Sequence, residues 1–278
     1  MPQSFPPDRS AAAARAPEPL GPLLRDWRAR RRLSQMDLAL EVGVSPRHLS
    51  FVETGRSRPS PAVLIALADH LDLPLRERNR WLLAAGYAPR YTECGLDAEG
   101  MASVKAALQR LLDAHDPYPG LVLDRQWNVV LANRAASALA ALVPEALRSP
   151  TLNVFRASLH PDALAAHTVN FDEWAVCLLA SLKRAVASTG DPALAALERE
   201  VLAYPNLQAI ITRGAVPAAA QKPMLLVNCV LDLPAGRVSL FTTLTTFGTP
   251  RDITLEELCV ELFYPADDAS AALLRRAA

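Results

Sequence analysis

Arg47, Ser50, Phe51 and Thr54 lie within the stretch Pro46–Thr54, "PRHLSFVET". At helical spacing they fall on the side opposite Leu49 and Val52. Arginine can contact guanine edges or phosphate, serine and threonine hydroxyls can contact either, and phenylalanine can touch a thymine methyl. Arg56 and Arg58 follow in the next loop, and Gln35 stands at the start of the preceding helix. These three suit phosphate, because arginine and helix N-termini both attract anions. The chemistry offered is the reading of duplex nucleic acid; its rival is a polar helix face that only meets water.

Such a face needs helices to present it. Leu20, Leu23, Leu24 and Trp27 recur at helical spacing and predict a first helix, ending in the arginine run 28–32. Ser34 caps a second, with Leu38, Ala39 and Val42 inside and Gly43 at its stop. Ser45 caps the third, Pro46 takes the first helical position, and Gly55 ends it. Ser60 and Pro61 start a fourth, with Val63, Leu64, Leu67, Ala68 and Leu71 in one stripe. Pro74 opens a fifth, with Trp81 and Leu82 inside and Gly86 at its end. Two short helices around a glycine turn, the second polar outside, describe a helix-turn-helix. Residues 20–86 are therefore expected to be an all-α domain of five helices.

Charge supports a division of labour. The chain of 278 residues has zero formal net charge, but residues 1–92 carry 14 Arg, no Lys and 9 acidic residues, a net of +5. The remainder carries 15 basic and 20 acidic residues, a net of −5. Length and asymmetry together suggest two domains with different partners. Residues 1–19 are rich in Pro, Ala and Arg and read as a disordered tail, not a signal peptide. No apolar run approaches the roughly 18 residues of a membrane span, so no membrane partner and a cytoplasmic location are expected. Cys94, Cys177, Cys229 and Cys259 are not spaced for zinc and read as reduced thiols.

Residues 87–115 read as a linker and a connecting helix carrying Met101, Val104, Leu108, Leu111 and Leu112. "GLVLDRQWNVVLAN" reads as two short strands around a turn. Residues 133–204 are mostly helical, broken at Pro144, Pro150, Pro161 and Gly190–Pro192. "KPMLLVNCVLDL", the turn "PAGR" and "VSLFTTLTTFG" predict a long hairpin, then a short helix at 254–258 and a last strand, "CVELFYPA". That order predicts an α+β domain over 116–266, helices covering one face of an antiparallel sheet, and a C-terminal tail at 267–278. Catalysis has little support: no nucleophile elbow or phosphate loop occurs, and the pairs Asp172/Glu173 and Glu256/Glu257 are adjacent and diverge on a helix. His160 and His167 lack a third metal ligand, so no metal and no cofactor is expected.

"LSQMDLALEVGVSPRHLSFVETGRSRPSPAVLIALADHLDLPLRERNRWLLAAGYAP" resembles the xenobiotic-response-element (XRE), or phage-repressor-like, helix-turn-helix family. "RHLSFVETGRSRPS", "PLRERN" and "AAGYAP" are similar to the subgroup with an MmyB-like ligand-binding domain, as are "LVLDRQWNVVLAN", "LHPDALAAHTVNFDEW" and "LFTTLTTFGTPRDITLEELCVELFYPAD". The resemblance covers roughly residues 20–270. It implies a transcriptional regulator whose phosphate-contacting glutamine is Gln35 and whose base-edge readers are Ser45, Pro46, Arg47, Ser50 and Phe51. It also implies a partly buried ion pair between Arg28 and Glu53, and the helical wheel puts Glu53 on the inner side. The chain departs from the family at Arg32, where relatives carry Gly, at Pro46, where many carry Gln, and at Ala163 of His160-Pro161-Asp162-Ala163, where Gly is usual.

The same resemblance implies a PAS-like second domain binding a small apolar, fatty-acid-like molecule. Trp127, Val129, Phe155, Phe171, Trp174, Leu178, Phe241, Leu244 and Phe247 are candidates for its apolar wall, and they would equally make an ordinary core. Arg156, His160, Asn170 and Thr245 are candidates for its head group. A homodimer on an inverted-repeat DNA operator is expected. The alternative is a DNA-binding scaffold whose second domain only dimerises; an enzyme carrying a DNA-binding domain is a third class.

Overall fold

The structure, a computed structural model, describes residues 18–213 and 226–277, which divide into two units. Most of the expected tail and the stretch 222–225 of the expected hairpin lie outside the described residues.

The first unit takes in residues up to Glu93 with the short return Arg251–Ile253. Its helices are α1 (Leu20–Arg30), α2 (Gln35–Val42), α3 (Pro46–Glu53), α4 (Pro61–His70) and α5 (Leu75–Ala84). The caps fall where the polar punctuation puts them. The Ser34, Ser45 and Ser60 side chains accept from the backbone N–H three residues on, and Ser34 and Asp37 complete a capping box. Gly43 closes α2 in the left-handed conformation. Leu23, Leu24 and Trp27 of α1 pack with Leu38, Leu49, Val52, Leu64, Leu67 and Trp81 in one core. Burying each such side chain contributes about 1.5–3 kcal/mol.

The second unit begins with α6 (Ala102–His115), β1 (Gly120–Leu123) and β2 (Val129–Ala132). Then come α7 (Arg134–Ala140), α8 (Glu145–Arg148), α9 (Val154–Leu159), α10 (Phe171–Thr189), α11 (Pro192–Leu202) and α12 (Pro205–Thr212). It ends with β3 (Cys229–Leu233), β4 (Gly236–Thr246), α13 (Ile253–Glu257), β5 (Cys259–Pro265) and α14 (Asp268–Ala277). The sheet is antiparallel throughout, in the order β2-β1-β5-β4-β3. The first and last strands of the domain thus meet at its centre.

Strand alternation gives the sheet two unlike faces. Val122, Val260 and Leu262 pack against Leu108 and Leu112 of α6. Leu231, Val238 and Leu240 pack on the other side with Trp174. A further core, formed by Phe155, Leu182, Leu197, Val201 and Leu207, lies among α9–α12. Residues 267–278, expected as a tail, correct that expectation: Asp268–Ala277 is helical and packs Leu273 and Leu274 onto the core at the sheet.

Candidate nucleic-acid interface and ligand cavity

On α3 the inner positions are Leu49, Val52 and Glu53, all buried. Ser45, Pro46, Arg47, Thr54, Arg56 and Arg58 are exposed, and Ser50 and Phe51 half-buried. The Arg47 guanidinium lies 5.3 Å from the Phe51 ring centroid. That cation–π contact restrains a long side chain without using its N–H donors. Arg56 makes no side-chain hydrogen bond or ion pair among the described residues.

Other expected contacts are already engaged within the unit. Arg58 donates to the Gly86 carbonyl at 2.8 Å and lies 4.1 Å over the Tyr87 ring, while Tyr87 donates to the Pro59 carbonyl. It clamps the loop after α3 to the end of α5, a structural duty that the expected phosphate anchor carries as well, and it remains exposed. The Thr54 hydroxyl donates to the Ser50 carbonyl at 2.8 Å, leaving it an acceptor only. The Ser45 oxygen accepts from His48 N–H and keeps its own proton to give.

Glu53 organises the inner side. Its side chain is fully buried. Arg28 grips it with Nε at 2.7 Å and Nη2 at 3.1 Å, and Gln35 donates to it at 2.7 Å. Gln35, expected as the phosphate-contacting glutamine, thus also serves this pair with one of its two amide protons. Burial pushes the Glu53 carboxyl up, but the bonds from Arg28 and Gln35 and the charges of Arg28 and Arg25 outweigh it and hold it below the usual range. Gly21 makes the approach possible: a Cβ there would stand 2.3 Å from the Glu53 carbonyl oxygen. No motif in the sequence singled out that glycine; the clue was a glycine inside an otherwise good helix.

In the second unit an apolar cavity of about 70 Å³ lies between the sheet and the helices over it. Leu121, Leu240 and Phe263 form its floor. Ala136, Leu139 and Ala140 of α7, Val154, Ala157 and Ser158 of α9, and Trp174 of α10 form its roof. Two buried asparagines hold α7 and α9 in place. Asn133 caps α7 while bonding the backbone of Gly120, Leu112 and Tyr118. Asn153 caps α9 while bonding Gln126 and Asn128. Both sit where an apolar strand or loop turns into a helix, and that cap position was their only mark in the sequence.

Of the expected ligand residues, Trp174 lines the cavity, as does Val129. The rest fall elsewhere for definite reasons. Trp127, Phe155, Phe171 and Leu178 pack in the α9–α12 core. Trp127 holds φ 65° at the tip of the β1–β2 hairpin, its ring 5.0 Å from that of Phe155. Phe241 and Thr245 alternate with Leu240 along β4 and so point to the α6 side, where Phe241 stacks on Tyr264 at 5.4 Å. Leu244 and Phe247 are exposed at the far end of β4. Arg156 is held by both oxygens of Glu200 at 2.7 Å. His160 accepts from Asp162 N–H and packs edge-on against Tyr204. Asn170 ties α10 to β3 through Val230 N–H and the Asn228 carbonyl.

The cavity's small side chains, alanines above all, leave space that the larger ones fill elsewhere. Among the described residues no cluster of three or more His, Cys, Asp or Glu is arranged for a metal, and no helix is long and apolar enough to cross a membrane. The cysteines are free thiols, and burial pushes the Cys229 thiol, on the cavity wall, up to about 12.

Residues 19–81 match the helix-turn-helix domain family, and residues 104–277 match the MmyB-like transcription regulator ligand binding domain. No curated protein matches the chain. Among solved structures, the chain is similar to the clp gene regulator ClgR from Corynebacterium glutamicum, at 27% identity over 35% of this chain and 90% of that one. The TM-score is 0.21.

Proposed function

Because the chain belongs to the MmyB-like transcription regulators, a helix-turn-helix domain with a ligand-binding domain, we propose that α3 lies in the major groove of an operator and that a small apolar molecule in the second unit tunes DNA affinity. The observation that carries the DNA reading is the outer face of α3. Arg47 is poised over Phe51 beside Ser50, while Leu49, Val52 and Glu53 anchor the helix behind them. Arg47 and Ser50 are the base-edge readers and Arg56 is the phosphate contact. Pro46 has no side-chain hydrogen bond to offer and contributes by apolar contact. One short helix reads few bases, so a homodimer on an inverted repeat completes the site.

Selection of DNA fragments with the purified full chain gives the operator. On that operator Arg47→Ala loses discrimination by about 1–3 kcal/mol, whereas Arg56→Ala weakens operator and random DNA alike. Equal losses for both would sink the assignment of the reading face.

The apolar cavity and its alanine-rich roof support a ligand shaped like a fatty-acid chain. Its volume of about 70 Å³ is well short of the roughly 300 Å³ of a small-molecule site, so binding requires the roof helices to part from the sheet. That requirement supplies the switch, since a ligand shifts an equilibrium only by binding two states unequally. The small volume also favours the alternative, a scaffold whose second domain only dimerises. Native mass spectrometry of the purified protein separates the two: a bound apolar molecule supports the sensor, and an empty domain indifferent to added chains supports the scaffold.

A further inference from the structure

Glu261 lies on β5, opposite Leu121 of β1 and Leu244 of β4. Directly opposed residues of antiparallel strands share a face, so its carboxyl is on the cavity side of the sheet. Leu121 beside it and Phe263 two residues on both line the cavity; Glu261 itself is not part of the wall, so pairing with a ligand needs the same parting of roof from sheet that ligand entry does. Glu261 is 6% exposed, and its Oε2 has no hydrogen-bond partner among the described residues. Burial pushes this carboxyl up to about 7, and a bond from Thr242 offsets only part of that. A buried acceptor without a donor is costly to keep. The cavity wall contains no Arg, Lys or His; its polar groups are the Ser158 hydroxyl, the Thr168 hydroxyl already given to the Leu164 carbonyl, the Cys229 thiol and the Trp174 indole. A carboxylate head group would meet no cation there and would face a carboxyl of its own sign.

Resting on the reading that this cavity holds the effector, we propose that the effector is an apolar chain ending in an uncharged hydrogen-bond donor, a hydroxyl or an amide, which pairs with Glu261, and that carboxylate-headed chains are disfavoured. Glu261 is then the residue that sets head-group specificity. It converts an apolar space that would take any chain of suitable length into one that sorts chains by their ends.

The test compares 1-dodecanol with dodecanoate, titrated by calorimetry into the full chain below their micelle concentrations, at about pH 8 where the Glu261 carboxyl is ionised. Wild type is expected to prefer the alcohol by about tenfold or more, and Glu261→Gln to shrink that preference to about twofold. Glu261→Met, apolar and of similar length, takes the place of glutamine where glutamine does not fold. Ala157→Phe fills the cavity and should abolish binding of the alcohol. Equal affinities in wild type, or a preference for dodecanoate, would overturn the head-group assignment and leave the cavity reading standing. Failure of both probes to bind, or undiminished binding to Ala157→Phe, would overturn the cavity reading and this proposal with it.

Discussion

Glu53 carries a charge into the interior of the first unit, where its side chain has no exposure at all. Such a carboxylate is tolerable only because Arg28 and Gln35 satisfy both oxygens. Removing it strands Arg28, which keeps a bond to the Leu33 carbonyl at 2.9 Å. Glu53→Ala is therefore expected to destabilise the first unit by about 3 kcal/mol, read as a lower melting temperature for that unit. An unchanged melting temperature would show that the pair contributes nothing. The helical wheel put Glu53 on the inner side, and family resemblance supplied its partner. Gln35 was not legible in this way, because its two possible duties, phosphate and Glu53, look identical in sequence. Arg58 shows the same limit: a loop arginine looks free until the ring it covers, Tyr87, is brought in from the next helix.

Helices of the first unit were legible because their ends are written in local chemistry: serine caps, proline at the first position, glycine at the close. Arg32 breaks that pattern. It follows α1 with φ 58°, the left-handed region that glycine occupies most readily, and its side chain is exposed. Arg32→Gly should relieve the strain and stabilise the unit by about 1 kcal/mol, measured by denaturant unfolding; a loss of stability would mean the side chain earns its place by a contact. In the second unit the strands and the helix breaks were legible from alternation and from proline. Two things were not. The helix Asp268–Ala277 has only two large apolar residues, Leu273 and Leu274, and its partner strands are distant in sequence. The cavity escaped because large aromatic side chains were taken as its wall, whereas space is left where side chains are small.

Across the whole molecule, the basic N-terminal and acidic C-terminal parts of the sequence have counterparts in two units with separate cores, and each buries one carboxyl whose proton affinity is shifted in a different direction. Glu53 in the first unit is held below the usual carboxylate range, and Glu261 in the second is pushed up to about 7. The signs follow from proton counting. Glu53 contributes stability above its unfolded value of about 4.3, and that contribution is lost as pH falls through the folded value. For Glu261 the folded state keeps a proton that the unfolded chain releases. Its contribution is full below about pH 4.3 and is lost as pH rises toward 7. Mild acidification should thus strengthen the second unit through Glu261 before it weakens the first through Glu53. The measurement is unfolding of the second unit, followed by hydrogen exchange, in wild type and Glu261→Gln. The stability difference between them should change by roughly 3 kcal/mol between about pH 4.3 and 7, wild type losing ground as pH rises. A difference that stays flat across that window would mean Glu261 titrates as an ordinary carboxyl, and that the carboxyl beside the cavity is not held away from water.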